Sequence, residues 1–375
     1  MNKNKLNNII FITILLIISI TFLFCMFRNK NNLNFIDNRS SYKFTIPTFR
    51  ELINGEYQSN LDETIADQMP KYNYFKILYL KINNYTNIGT VKAFKLDKLN
   101  KYVKLSNTYL YNDYLLYTTS NTIGNKNNIS EINRIIDNTS ANIYVYYINT
   151  DANYNFEKNF KVDDYSIIKK YVNTDNTSEF IINSFDEYKK YFYKTDHHWN
   201  YKGSYKAFND IAKLMNLDVI PDNNNEVCLK GYFDGSKLKS IANIDIVKDN
   251  VCVYDFDFPD FDIYISNELV DDYGTSVEKL KTQSELTYGS IYGFDYDEII
   301  FINKDSNNNK KLLIYSNSYS NAVNKLLASN YKETYVIDGR HYNSNKSMVD
   351  YIEENNIDDV LILGNHWLFV DSLNW

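Results

Sequence analysis

The sequence predicts an α/β fold: a parallel sheet flanked by helices, preceded by an N-terminal transmembrane helix. Short apolar runs recur toward the C-terminus, at 299–302, 312–315, 334–337 and 360–363. Helical patterns separate the last three of them, at about 321–330 and 345–355. Strand and helix alternating at this spacing imply parallel strands joined by crossover helices. Ligands of such sheets bind beyond the C-terminal strand ends. Here those ends carry Asn317-Ser318, Gly339-Arg340-His341 and Gly364-Asn365-His366.

The transmembrane expectation rests on residues 9–27, an uncharged and strongly apolar run. As a helix it spans roughly 28 Å, about one bilayer core. No small-residue cleavage site follows it, which favours an uncleaved anchor over a signal peptide. Lys3, Lys5 and the N-terminal amine favour a cytoplasmic start, with Arg28 and Lys30 pulling the other way. The expected division is an anchor over 1–30, a polar tether over 31–48 and one domain over 49–375.

Within that domain 49–87 reads as helical and 91–117 as short strands. Ser130 can cap a helix over 131–137, and 143–148 is a compact strand. Asn200 can cap a helix whose apolar face carries Tyr205, Phe208, Ile211, Ala212 and Met215. Residues 217–297 hold scattered strand-like runs, such as 251–254, among many Asp and Asn. They read as an insertion or lid-like region.

With 375 residues and 44% hydrophobic content, the chain can bury a sizeable core. The net charge of −7 comes without any basic run, which disfavours nucleic acid as a partner. Beyond Cys25 there are only Cys228 and Cys252; they can pair, or remain thiols.

The chemistry concentrates in Lys194-Thr195-Asp196-His197-His198-Trp199, which holds two of the four histidines. In an extended segment Asp196 and His198 project to one side. The carboxylate can then take one ring N–H and leave the other nitrogen free as a base. A nucleophile follows about 120 residues later in Tyr315-Ser316-Asn317-Ser318-Tyr319-Ser320. Ser318, between a strand and a helix, sits where backbone N–H groups can stabilise an oxyanion. Read locally, the same serines serve as helix caps, Asp196 as a cap, and Gly339 and Asn365 as turn residues. A metal site is a rival use of His197, His198, His341, His366 and Asp196. Adjacent histidines in extended chain point opposite ways, and no HxH or HExxH spacing is present. No metal and no cofactor is therefore expected.

Together these residues resemble the DHHW family, named for the four residues Asp196 to Trp199. That family is similar to the alginate O-acetyltransferase group of SGNH-type hydrolases. The likeness takes in Gly55-Glu56-Tyr57 to Ala66-Asp67-Gln68-Met69-Pro70, Thr195 to Tyr205, Ser318-Tyr319-Ser320-Asn321, and Val336 to Tyr342. It implies an SGNH-hydrolase-like sheet with Ser318 as nucleophile and the Asp196–His198 pair preceding it in sequence. The Ser318 N–H, the Gly339 N–H and the Asn365 amide are the implied oxyanion donors. Trp199, Arg340 and His341 are the implied substrate contacts. The chain departs from the pattern at Tyr315 and Ser316, where a glycine is expected, and at Asn317, which replaces an aspartate.

The resemblance implies a membrane-anchored serine O-acetyltransferase or acetylesterase, its main domain outside the cytoplasm. Its partners would be an extracytoplasmic polysaccharide and a membrane acyl donor. The alternative is a catalytically impaired protein of the same fold that binds a glycan or assists envelope assembly.

Overall fold

The computed structural model describes residues 3–28, 30–34, 39–53, 55–93, 102–105, 108–119, 127–219, 221–222, 225–242, 247–342, 346–371, 373 and 375. The chain forms two compact units, one of residues 1–106 with 238–244 and one of 107–237 with 245–375.

The first unit is mainly helical, with α1 (Lys3–Met26), α2 (Phe49–Ile53), α3 (Glu56–Gln68) and α4 (Tyr72–Ala93). The last three fall where the helical pattern is read. Asn34 and Tyr42 are fastened to the end of α3. Asp67 accepts from Asn34 Nδ2 at 2.8 Å and from Tyr42 N at 2.7 Å, and Gln68 donates to the Tyr42 carbonyl at 2.7 Å.

Among the described residues no helix is long and apolar enough to cross a membrane. This overturns the transmembrane helix expected over 9–27. The segment is helical as part of α1.

The second unit is built on α5 (Asn127–Asn138), α6 (Tyr201–Met215), α7 (Tyr288–Tyr292), α8 (Asn324–Ala328) and α9 (Met348–Asn355) around one sheet. Its strands are β1 (Asn142–Ile148), β2 (Thr177–Phe180), β3 (Phe261–Ile265), β4 (Glu268–Val270), β5 (Glu298–Asn303), β6 (Lys311–Ser316), β7 (Glu333–Asp338) and β8 (Asp359–Gly364). The spatial order is β4-β3-β5-β7-β6-β8-β1-β2. From β7 to β2 all neighbours are parallel, whereas β5, β3 and β4 add on antiparallel.

The sheet is therefore mixed, which corrects the expectation of a parallel one. The reason lies in the connections. Parallel neighbours need a crossover of a dozen or more residues. Ser266 and Asn267 alone join β3 to β4, both at positive φ (48° and 68°), the geometry of a tight hairpin. Two strands of the segment read as an insertion thus extend the main sheet.

Both faces are covered at the centre of the parallel part, so β6 and β8 are apolar along most of their length. Leu312, Ile314, Leu361 and Leu363 face one core with Leu326 and Leu327 of α8. Leu313, Tyr315, Val360 and Ile362 face the other with Met348 and Ile352 of α9. The crossover after β6 therefore lies on one face and the crossover after β7 on the opposite face. Strand β6, flanked by β7 and β8, ends in the crevice this creates.

The paired strands 226–228 and 252–254 carry the Cys228–Cys252 disulfide, which closes a loop of 24 residues. Replacing both cysteines with serine is expected to lower unfolding free energy by about 3 kcal/mol, the chain-entropy value for such a loop. Chemical denaturation of the two proteins side by side measures it.

Candidate active site

The chain leaves β6 through extended Asn317 and enters a single 3-10 turn, Ser318–Ala322. Asn317 caps that turn, accepting from Tyr319 N at 3.3 Å. Its Nδ2 donates to Asn365 Oδ1 at 3.1 Å, which ties the ends of β6 and β8 together. The helix expected from 321 begins instead at Asn324.

Residues 194–199 form a bent loop and not an extended strand. Phe192 and Trp199 bridge at its base, and Asn200 N donates to the Tyr191 carbonyl at 2.8 Å. As read from the sequence, Asn200 then caps α6, accepting from Lys202 N and Gly203 N. The half-buried Asp249 carboxylate braces the loop by accepting from Lys194 N, Thr195 N and Thr195 Oγ1 at 2.7, 2.8 and 2.5 Å. Its pKa is raised, first by burial and also by the Asp196 charge, against the pull of these hydrogen bonds.

Inside the loop Asp196 Oδ1 accepts from His198 N at 2.9 Å and lies 2.6 Å from His198 Nδ1. His198 Nε2 lies 2.8 Å from Ser318 Oγ. With Nδ1–H given to the carboxylate, Nε2 is left to accept the Ser318 proton. Asp196 Oδ2 accepts from Ser236 N at 2.7 Å. Burial pushes the Asp196 pKa up, but the two imidazoles and the Ser236 N–H outweigh it and hold the carboxyl well below its ordinary range.

His197 does not point away from its neighbour. Its ring centroid lies 3.8 Å from that of His198, and its Nδ1 lies 2.6 Å from Ser236 Oγ. The bend at 194–199 replaces the extended geometry that would have split the two rings. Burial first, then the His198 charge, push the His197 pKa well down.

A cavity of about 80 Å³ opens beside Ser318, lined among others by His197, Tyr319, Arg340, Asn365 and Trp367. Asn365 is buried and uses Oδ1 to accept from Asn317 and from Trp367 N at 3.2 Å. Its amide nitrogen is thereby the donor end. Arg340 reaches the cavity wall with its guanidinium paired to Asp338 and to Asp295, the latter at 2.9 Å. A larger cavity of about 230 Å³ behind Asn321 is lined by neither Ser318 nor a histidine.

Trp199 is fully buried, its Nε1 donating to Tyr288 Oη at 3.2 Å, so it belongs to the core and not to the cavity wall. His341 is exposed and groups with Asp295 and Asp338, whose carboxylates already hold Arg340. Asp196, His197 and His198 also lie close enough together to share an ion, but both His198 nitrogens are engaged within the protein.

Sequence reasoning missed Ser236, Asp249, Tyr288 and Tyr319. The one available signal is Gly235, where a Cβ would come within 2.3 Å of the Thr195 carbonyl oxygen. Only glycine lets Ser236 approach the loop. Next to it, Lys237 Nζ forms a fully buried ion pair with Asp151 at 2.7 Å and donates to Tyr188 Oη at 3.2 Å.

Gly339 is required for a reason other than close approach to substrate: a Cβ there would lie 1.9 Å from Tyr315 Oη. Gly339→Ala should cost about 1–3 kcal/mol, as overpacking does. Adding Tyr315→Phe should recover part of that loss in a thermal melt.

His366 is buried, its ring nitrogens have no hydrogen-bond partner among the described residues, and burial lowers its pKa to about 4. The unfolded chain then binds the extra proton first, so its contribution to stability falls as pH drops from the ordinary histidine range toward 4. Denaturation midpoints measured from pH 7 to 4 should fall less steeply in His366→Leu than in the parent.

At the level of sequence, no family model and no curated protein matches the chain. Solved structures do match. A DHHW family protein from Eubacterium siraeum aligns over 73% of this chain and 95% of its own, at 18% identity and a TM-score of 0.55. Bacillus cereus PatB1 with a sulfonyl adduct aligns over 71% and 96%, at 19% identity and a TM-score of 0.56. The O-acetyltransferase domain of Pseudomonas putida AlgJ aligns over 71% and 93%, at 9% identity and a TM-score of 0.39. The first two share the fold of this chain; the third superposes too loosely to bear on it.

Proposed function

We propose that this chain is a serine O-acyltransferase or esterase acting on O-acetyl groups of an extracytoplasmic glycan. One observation carries the reading: the hydrogen-bonded chain from Asp196 through His198 to Ser318, at 2.6 and 2.8 Å. Ser318 Oγ attacks the acyl carbonyl carbon while its proton passes to His198 Nε2, and Asp196 stabilises the imidazolium. The oxyanion is met by the Ser318 N–H, the Gly339 N–H and the Asn365 amide. Collapse returns the proton to the departing alcohol and leaves the acyl group on Ser318. A second hydroxyl then gives its proton to His198 and takes the acyl group, and His198 returns that proton to the departing Ser318 Oγ. A sugar as that hydroxyl makes the protein a transferase; water makes it an esterase.

Supporting the glycan reading, Trp367 is 51% exposed at the cavity rim and offers a face on which a sugar ring can stack. The Cys228–Cys252 disulfide supports an oxidising compartment. PatB1 carries a sulfonyl adduct, and sulfonyl electrophiles trap activated nucleophiles.

A sulfonyl fluoride is therefore expected to label Ser318, detected by peptide mass spectrometry, and Ser318→Ala to abolish labelling and acetyl-ester hydrolysis. Activity should survive a strong chelator. Asn365→Ala should cut kcat on the order of a hundredfold while sparing folding, the loss of one oxyanion donor being worth about 3 kcal/mol. Failure of the intact protein to react at Ser318 would favour the non-catalytic glycan-binding alternative. Loss of activity in chelator, restored by zinc, would favour metal chemistry.

A further inference from the structure

The His198 ring is held on both faces. Tyr288 stacks on it with ring centroids 3.7 Å apart and planes within 5° of parallel. His197 lies 3.8 Å away at a tilt of 35°. Two rings that close cannot share one face, so they occupy opposite faces. The Asp196–Nδ1 hydrogen bond fixes only one edge of the imidazole. The terminal torsion of a histidine is broad, and a swing about that hydrogen bond would carry Nε2 off Ser318. Stacked rings oppose the swing; a hydrogen bond along its axis does not.

Tyr288 is itself anchored. It opens α7, which Thr287 starts with a reciprocal cap to Ser290. Its hydroxyl is spent in accepting from Trp199 Nε1. The residues just before it, Glu285 and Leu286, pair in parallel with Tyr232 and Phe233, and Asp234 N donates to the Leu286 carbonyl at 2.8 Å. Thus the same two-strand contact sets Ser236 against Asp196 and Tyr288 against His198.

We propose that Tyr288 is a positioning residue for the acyl-transfer reaction, its ring holding the His198 plane so that Nε2 remains on Ser318. This rests on the serine reading above. The ring, and not the hydroxyl, does the positioning.

The test compares Tyr288→Phe with Tyr288→Leu in hydrolysis of 4-nitrophenyl acetate and in the rate of Ser318 sulfonylation by phenylmethanesulfonyl fluoride. Phenylalanine should stay within about twofold of the parent, while leucine should lose about a hundredfold in kcat at unchanged KM, the usual cost of misplacing a reacting group. Thermal midpoints and circular dichroism check folding, and Tyr288→Met replaces the leucine variant if that one does not fold. Independently, with only four histidines to assign, the His198 ring protons in the parent should show the upfield NMR shift of a stacked ring, lost in the leucine or methionine variant. Full kcat without the ring overturns the proposal. So does a phenylalanine variant as slow as leucine, which would give the role to the Trp199 hydrogen bond. A parent protein that is not sulfonylated at all sinks the serine reading instead, and the NMR comparison then decides whether Tyr288 fixes the ring.

Discussion

The arrangement around Ser318 depends on the buried carboxylate of Asp196. An isolated buried charge is costly, so it must be paired and hydrogen-bonded to persist. Asp196 gains this from two sides: the backbone and ring of its own loop through His198, and the backbone of a distant segment through Ser236. Each partner is fixed in turn. Asp249 braces the loop at Lys194 and Thr195. Gly235 permits the close approach, and the buried Lys237–Asp151 pair secures the next residue. One desolvated charge thereby imposes its geometry on three separate stretches of chain.

The sheet supplies the other half. Because β6 lies between β7 and β8, with crossovers on opposite faces, three strand ends meet at one edge. Asn317 and Asn365 link two of those ends directly. Ser318 thus stands on a 3-10 turn at that edge, held by the sheet, while His198 is held by a loop, and the Ser318–His198 contact is where the two supports meet.

Much of this was legible in the chain. The apolar runs at 312–315, 334–337 and 360–363 are consecutive parallel strands because residues buried on both faces leave an uninterrupted apolar signature. The Asp-His-His-Trp segment and Ser318 stood out because histidine is scarce here. The region 217–297 was not legible. Its contributions to the site are the Ser236 N–H and hydroxyl, the Asp249 and Asp295 carboxylates and the Tyr288 ring. With 35 tyrosines in the chain, Tyr288 carries no mark of its own. The antiparallel edge went unread for a related reason: β3 and β4 are short and half-exposed, and their turn uses Ser266 and Asn267 without a glycine.

The sequence by itself determined the periodicities, and so which segments become strands and helices of the α/β core, together with the residue types able to form an acid–base–nucleophile set. Local pattern suffices for these because strand and helix burial repeat over a few residues. Only the tertiary structure decided the mixed sheet, the bend that packs His197 beside His198, the burial of Trp199 and the capture of Arg340 by Asp295 and Asp338. Each of these depends at least in part on a segment tens of residues away, as Asp249 braces the His197–His198 bend and Asp295 completes the hold on Arg340. No period in the sequence encodes such a meeting.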